Sequence, residues 1–106
     1  MRLILATLLL FSLALAPASQ PASKSARISI KGMKFQPTTL TIKPGQTVTW
    51  INNDDRDHSV LAADASFKSG NLPGGSSFSF TFKKAGKFSY SCPYHPRMKA
   101  VIVVAE

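Results

Sequence analysis

Thr39-Leu40-Thr41-Ile42-Lys43-Pro44-Gly45-Gln46-Thr47-Val48-Thr49-Trp50-Ile51-Asn52 decides the fold class of this 106-residue chain. Apolar and polar side chains alternate from Thr39 to Lys43 and again from Thr47 to Asn52. That period of two is the mark of a half-buried strand. Between the runs, Pro44-Gly45 supplies a turn, because proline presets φ and glycine tolerates positive values. The same grammar extends in both directions. Toward the N-terminus, Arg27-Ile28-Ser29-Ile30 forms a first strand, and Gly32 and Pro37 interrupt the chain around Met33 and Phe35. Toward the C-terminus, Asn53-Asp54-Asp55-Arg56-Asp57 is a polar loop, and His58-Ser59-Val60-Leu61 opens another strand. Residues 63–75 read as loop, with Gly70, Pro73, Gly74 and Gly75 at its end. Phe78, Phe80 and Phe82 then alternate with Ser79 and Thr81, and Lys87 to Cys92 alternates again after the Lys83-Lys84-Ala85-Gly86 turn. Lys99 to Ala105 is apolar enough to be a final strand buried on both faces. Seven or eight short strands at this spacing, without sustained helical periodicity, predict an all-β antiparallel sandwich. Leu40, Ile42, Val48, Trp50, Phe78, Phe80, Phe82, Phe88 and Tyr90 are the expected core. The phenylalanine stripe is assigned to that core and not to an aromatic-binding surface, on the burial habits of phenylalanine.

The ends divide the chain into three parts. Residues 1–18 carry Arg2, then an apolar run from Leu3, then Ala16-Pro17-Ala18 as a signal-peptidase site. The run is shorter than the roughly 20 residues a membrane span needs, so cleavage is expected instead of a permanent anchor. Residues 19–26 are small and polar and read as a flexible tail. Residues 27–106 form the folded domain. The whole chain carries +8, and without residues 1–18, whose one charged side chain is Arg2, +7. The lysines are scattered at solvent-facing strand positions, not clustered, and export argues against nucleic acid as the partner. The charge implies solubility and steering toward acidic-surfaced proteins. A monomer is expected.

Small exported domains often rely on disulfides, but Cys92 is the only cysteine. A lone thiol in an oxidising compartment suggests that something occupies it. Cys92-Pro93-Tyr94-His95-Pro96-Arg97-Met98 places a thiol, an imidazole and a thioether three residues apart, on a five-residue loop stiffened by two prolines. His58 opens a strand elsewhere and can reach the same point in a sandwich. Taken singly, a buried cysteine is a small hydrophobe, a histidine a structural hydrogen-bonder and a methionine core filler. Together the one cysteine, both histidines and Met98 make the donor set of a mononuclear blue-copper site. Zinc accepts similar ligands, but a catalytic zinc needs a water position and a nearby carboxylate base; the ligand loop has none, and Asp57 points away from His58 in an extended segment. A binuclear copper site needs a second cysteine in the loop.

At these residues the chain resembles the cupredoxins, within them the amicyanin and plastocyanin-like group, over about residues 27–105. The stretch Lys34 to Asn52, His58, Phe88-Ser89-Tyr90-Ser91-Cys92, and the Cys92, His95, Met98 spacing carry the resemblance. It implies a Greek-key β-sandwich with one copper ion near one end, held by His58, Cys92, His95 and Met98. It also implies a periplasmic one-electron carrier between redox proteins, without enzymatic activity. His95 would be the electron port inside an apolar patch furnished by Tyr94, Pro96, Pro73 and Leu72, and Ser59 would brace the ligand loop. Two alternatives stand beside it: a copper-binding and delivery protein without a redox role, and a metal-free interaction sandwich. Delivery proteins usually carry exposed tracts of methionine, histidine or cysteine, whereas only Met33 and Met98 follow the N-terminal segment here.

Overall fold

A computed structural model describes residues 24–106; the expected signal segment and most of the expected tail lie outside them. Nine strands run in order: β1 Ser25–Lys31, β2 Lys34–Gln36, β3 Thr39–Ile42, β4 Thr47–Asn52, β5 His58–Ala62, β6 Lys68–Leu72, β7 Ser77–Thr81, β8 Gly86–Cys92 and β9 His95–Val104. They form two sheets, β2-β1-β4-β7 and β3-β9-β8-β5-β6. The alternation of Val48 and Trp50 with Thr47 and Thr49 places the two apolar side chains at zero exposure inside the sandwich, while the threonines stay on the outer face. There Thr47 and Thr49 exchange hydroxyl hydrogen bonds with Thr81 and Ser79 of β7, both at 2.7 Å. The core holds Ile28, Ile30, Phe35, Ile42, Val48, Trp50, Val60, Phe67, Phe82, Tyr90, Ile102 and Val104.

Several expectations need correction. The sheets are mixed, not purely antiparallel: β1 runs parallel to β4, and β3 parallel to β9. Each parallel pair joins strands that the chain reaches only after leaving the sheet, a geometry that strand periodicity does not specify. β1 begins at Ser25, so Ser25 and Ala26, read as tail, pair with Thr47 and Val48. The stretch read as loop between 63 and 75 contains β6. Its Lys-Ser-Gly-Asn-Leu sequence shows no apolar alternation, because this is an edge strand exposed along most of its length and held by backbone pairing to β5. Phe67, just before it, is a core residue the loop assignment missed. Leu40, Phe78, Phe80 and Phe88 are only partly buried, packed against the core margin. In β9 burial alternates with intermediate exposure at Val101 and Val103, so the strand is not fully buried on both faces.

Candidate metal centre

Asn52 shapes the polar end of the sandwich. It closes β4 at zero exposure, and its Nδ2 donates to the carbonyls of Arg56 and Leu72, both at 2.8 Å. Its Oδ1 accepts from the Asp54 amide at 3.0 Å. One buried amide therefore curls the loop after β4 and ties it to β6, and a buried polar side chain with its partners made is a rigid anchor. Gly74 packs on the same loop: a Cβ there would lie 2.7 Å from the Asp54 carbonyl oxygen, so only glycine fits without displacing Asp54.

The curl lets Asp54 reach forward to His58. Asp54 Oδ2 lies 2.8 Å from His58 Nε2. The same carboxylate accepts from the amides of Gly32 and Met33, at 2.8 and 3.1 Å. Those two residues form the two-residue turn between β1 and β2, both with positive φ, a turn type that matches strand twist but is uncommon for methionine. Burial pushes the Asp54 carboxyl up, but the Gly32 amide, the His58 ring and the Met33 amide outweigh it and hold it at about 2. The group is therefore an anion at neutral pH, and the His58 ring donates to it through Nε2. That leaves the Nδ1 lone pair facing inward, the orientation a metal ligand needs. Sequence reasoning missed Asp54; Asp57, the carboxylate it weighed, instead accepts from Asn71.

His58 Nδ1 lies 3.9 Å from Cys92 Sγ, and His95 Nδ1 lies 3.8 Å from the same sulfur. The three donor atoms all fall within 4.8 Å of one another. Bonds of about 2.0–2.3 Å from one central ion to nitrogen and sulfur would produce separations close to these. His58 and Cys92 have zero exposure and Met98 is 4 % exposed, while His95 is partly exposed. The structure thus brings together His58, Cys92 and His95, and Met98, buried three residues along β9 from His95, lines the same cavity as His95. The ligand segment is tighter than the expected five-residue loop: Cys92 pairs with His95 across a two-residue Pro93-Tyr94 turn, and β9 starts at His95. The surface beside His95 is a cavity lined by Met33, Tyr94, Pro96, Arg97 and Met98. Leu72, expected there, is buried opposite His58, and Pro73 is not part of the lining. Met33 was missed because only the β1–β2 turn brings it alongside. The ligand turn is braced by Tyr94 on Asn71, the residue across the ladder from Ser59, in place of the Ser59 hydroxyl.

Two imidazole nitrogens and a buried sulfur at this spacing, with a thioether nearby and no carboxylate among the donors, fit a single copper ion. A family model described as a cupredoxin-like domain matches residues 2–104, and the chain belongs to that family. It is 33% identical to the amicyanin of Paracoccus denitrificans over 92 residues, 82% of this chain and 70% of the relative. It is 36% identical to the plastocyanin of Scenedesmus fuscus over 84 residues, 66% of this chain and 85% of the relative. A solved structure of an amicyanin variant in its Cu(I) form superposes with a TM-score of 0.73 at 31% identity, covering 77% of this chain and 83% of that one.

The Asp54 contact yields a first expected result. Asp54→Ala removes the acceptor for a fully buried His58 ring N–H and for two turn amides. Leaving such a donor unpaired costs about 1–3 kcal/mol. The metal-free variant should lose about that much in urea denaturation, and its copper affinity should fall about 10–100-fold in a chelator competition.

Proposed function

We propose that the protein is a periplasmic one-electron carrier whose blue-copper centre is held by His58, Cys92, His95 and Met98. The convergence of His58 Nδ1, Cys92 Sγ and His95 Nδ1 within 4.8 Å carries this reading. When bound, copper supplies a Cu(II)/Cu(I) couple. The chain's own contribution is restraint. Asp54 holds the His58 ring, the β8–β9 turn holds Cys92 and His95, and the core around Met98 keeps water from the thioether side. Donors fixed in this way move little when charge at the site changes, and small rearrangement favours rapid transfer at low driving force.

His95 is the port, since it is the one donor residue of the four that reaches the surface. Exposed Arg97 lies beside it in the cavity lining. Together with the net charge of +7 on the chain without residues 1–18, this supports acidic-surfaced redox proteins as donor and acceptor. Encounter rates with such partners should fall steeply as salt is added. Export is supported by the Arg2, apolar-run and Ala16-Pro17-Ala18 pattern. A monomer is supported by Tyr94 being the one large hydrophobic side chain strongly exposed among the described residues.

Adding Cu(II) to the metal-free protein should produce intense visible absorption and a reversible one-electron wave. A colourless copper-loaded protein would sink the proposal. Fast copper release to a chelator with no reversible wave would point to delivery instead. Met98→Ala should keep copper and colour but move the potential, because the axial donor tunes it. Truncating this buried side chain should also cost about 2–5 kcal/mol of stability in urea denaturation of the metal-free protein.

A further inference from the structure

The donor end of the sandwich carries a chain of polar contacts that metal ligation does not use. The Tyr94 hydroxyl donates to Asn71 Oδ1 at 2.8 Å, and Asn71 Nδ2 donates to Asp57 Oδ2 at 3.2 Å. The three residues come from three segments. Tyr94 sits in the turn between Cys92 and His95, Asn71 lies in β6 opposite Ser59, and Asp57 immediately precedes His58. Asn71 therefore uses both ends of its amide to join the segment bearing Cys92 and His95 to the segment bearing His58.

The sheet leaves this junction otherwise open. β5 pairs with β8 at Leu61–Ser91 and Ala62–Tyr90, and the pairing of these two strands stops there, before the donor end. The β8–β9 ladder also shifts register between Ser91 and Cys92. At the point where His58 and Cys92 face each other, the rungs between β5 and β8 have run out, although each residue still pairs with its other neighbour strand. Tyr94 reaches past β5 to β6 across that gap, which gives an exposed tyrosine at a turn tip a physical reason to be ordered.

We infer that Tyr94, Asn71 and Asp57 form a latch that sets the spacing of the two donor-bearing segments, so that the metal site is shaped before metal enters it. The inference rests on the copper reading of the cluster. Tyr94 and Asn71 are positioning residues: they touch no donor atom and act through the turn and the loop. An exposed hydrogen bond contributes modestly, so its loss should change local rates by about threefold, and by no more than about tenfold.

The test compares Tyr94→Phe, Asn71→Ala and the double variant in the full chain. In the metal-free protein, Tyr94→Phe should speed hydrogen exchange at the amides of residues 94, 95 and 97 by about threefold to tenfold, with urea stability falling by no more than that factor converts to, about 1.4 kcal/mol. In the copper-loaded protein, release to a chelator should speed by a similar factor. Adding Asn71→Ala to Tyr94→Phe should change neither further, since the two substitutions break one chain of bonds. Asp57→Asn keeps an acceptor oxygen and should behave like the parent. Unchanged exchange in Tyr94→Phe, or additive effects of the two substitutions, would overturn the latch even if the protein turns blue with copper. Exchange that responds as expected in a protein that takes up no copper would leave the latch standing and overturn the copper reading instead.

Discussion

Cys92→Ser should abolish the visible absorption of the copper-loaded protein and leave the fold intact. Cys92 closes β8 at zero exposure, with its sulfur 3.9 and 3.8 Å from the two facing imidazole nitrogens. The colour of such a site arises from charge transfer between a thiolate and Cu(II), so it needs a sulfur anion at that point. A serine hydroxyl is nearly the same size but does not ionise at neutral pH and is a hard donor where a soft one suits copper. Because volume is almost conserved, the metal-free variant should unfold within about 1 kcal/mol of the parent, as volume-conserving core exchanges usually do. A full visible and urea comparison checks both halves. A serine variant that keeps the intense band would show that Cys92 is not the thiolate donor.

The largest loss of stability is expected from Trp50→Ala. Trp50 is fully buried, with ring centroids 5.5 Å from Phe67, Phe78 and Tyr90 and 6.5 Å from Phe82. It joins rings from both sheets, since β4 and β7 belong to one and β8 to the other. Removing the indole takes away the shared centre of this cluster and leaves a void that four aromatic neighbours are too large and too constrained to fill. Substitutions of this kind cost about 3–5 kcal/mol, against a total of about 5–15 kcal/mol for a typical domain. The variant should unfold at much lower urea and be partly unfolded at physiological temperature. Trp50 is the only tryptophan, so the transition must be followed by circular dichroism. Trp50→Phe should recover a large part of the loss. Tyr90 packs on the indole and lies two residues before Cys92, so copper affinity should fall with stability in the alanine variant. A midpoint for Trp50→Ala close to the parent's would show that the two sheets are held together elsewhere.

Most strands and the four candidate ligands were legible in the sequence because both are written in short-range order. Alternation between Thr47 and Asn52 encodes which face each side chain takes, and the spacing of Cys92, His95 and Met98 encodes a compact turn. β6 was not legible, because an exposed edge strand is selected by backbone pairing and has no apolar pattern to display. The parallel pairings of β1 with β4 and β3 with β9 were hidden for a related reason: periodicity specifies the face of a strand but not its neighbour or its direction.

By itself, then, the amino-acid sequence determined an all-β sandwich and a donor set suited to copper, since residue chemistry and spacing are local properties. Only the tertiary structure decided how that set is held. It brought His58 to Cys92 across 34 positions of sequence. It chose Asp54 over Asp57 as the carboxylate on the His58 ring, because Asn52 curls the intervening loop. It also set Met33 beside the His95 surface and Asn71 between two donor segments. These are contacts between side chains far apart in sequence, and their geometry exists only once the two sheets have packed.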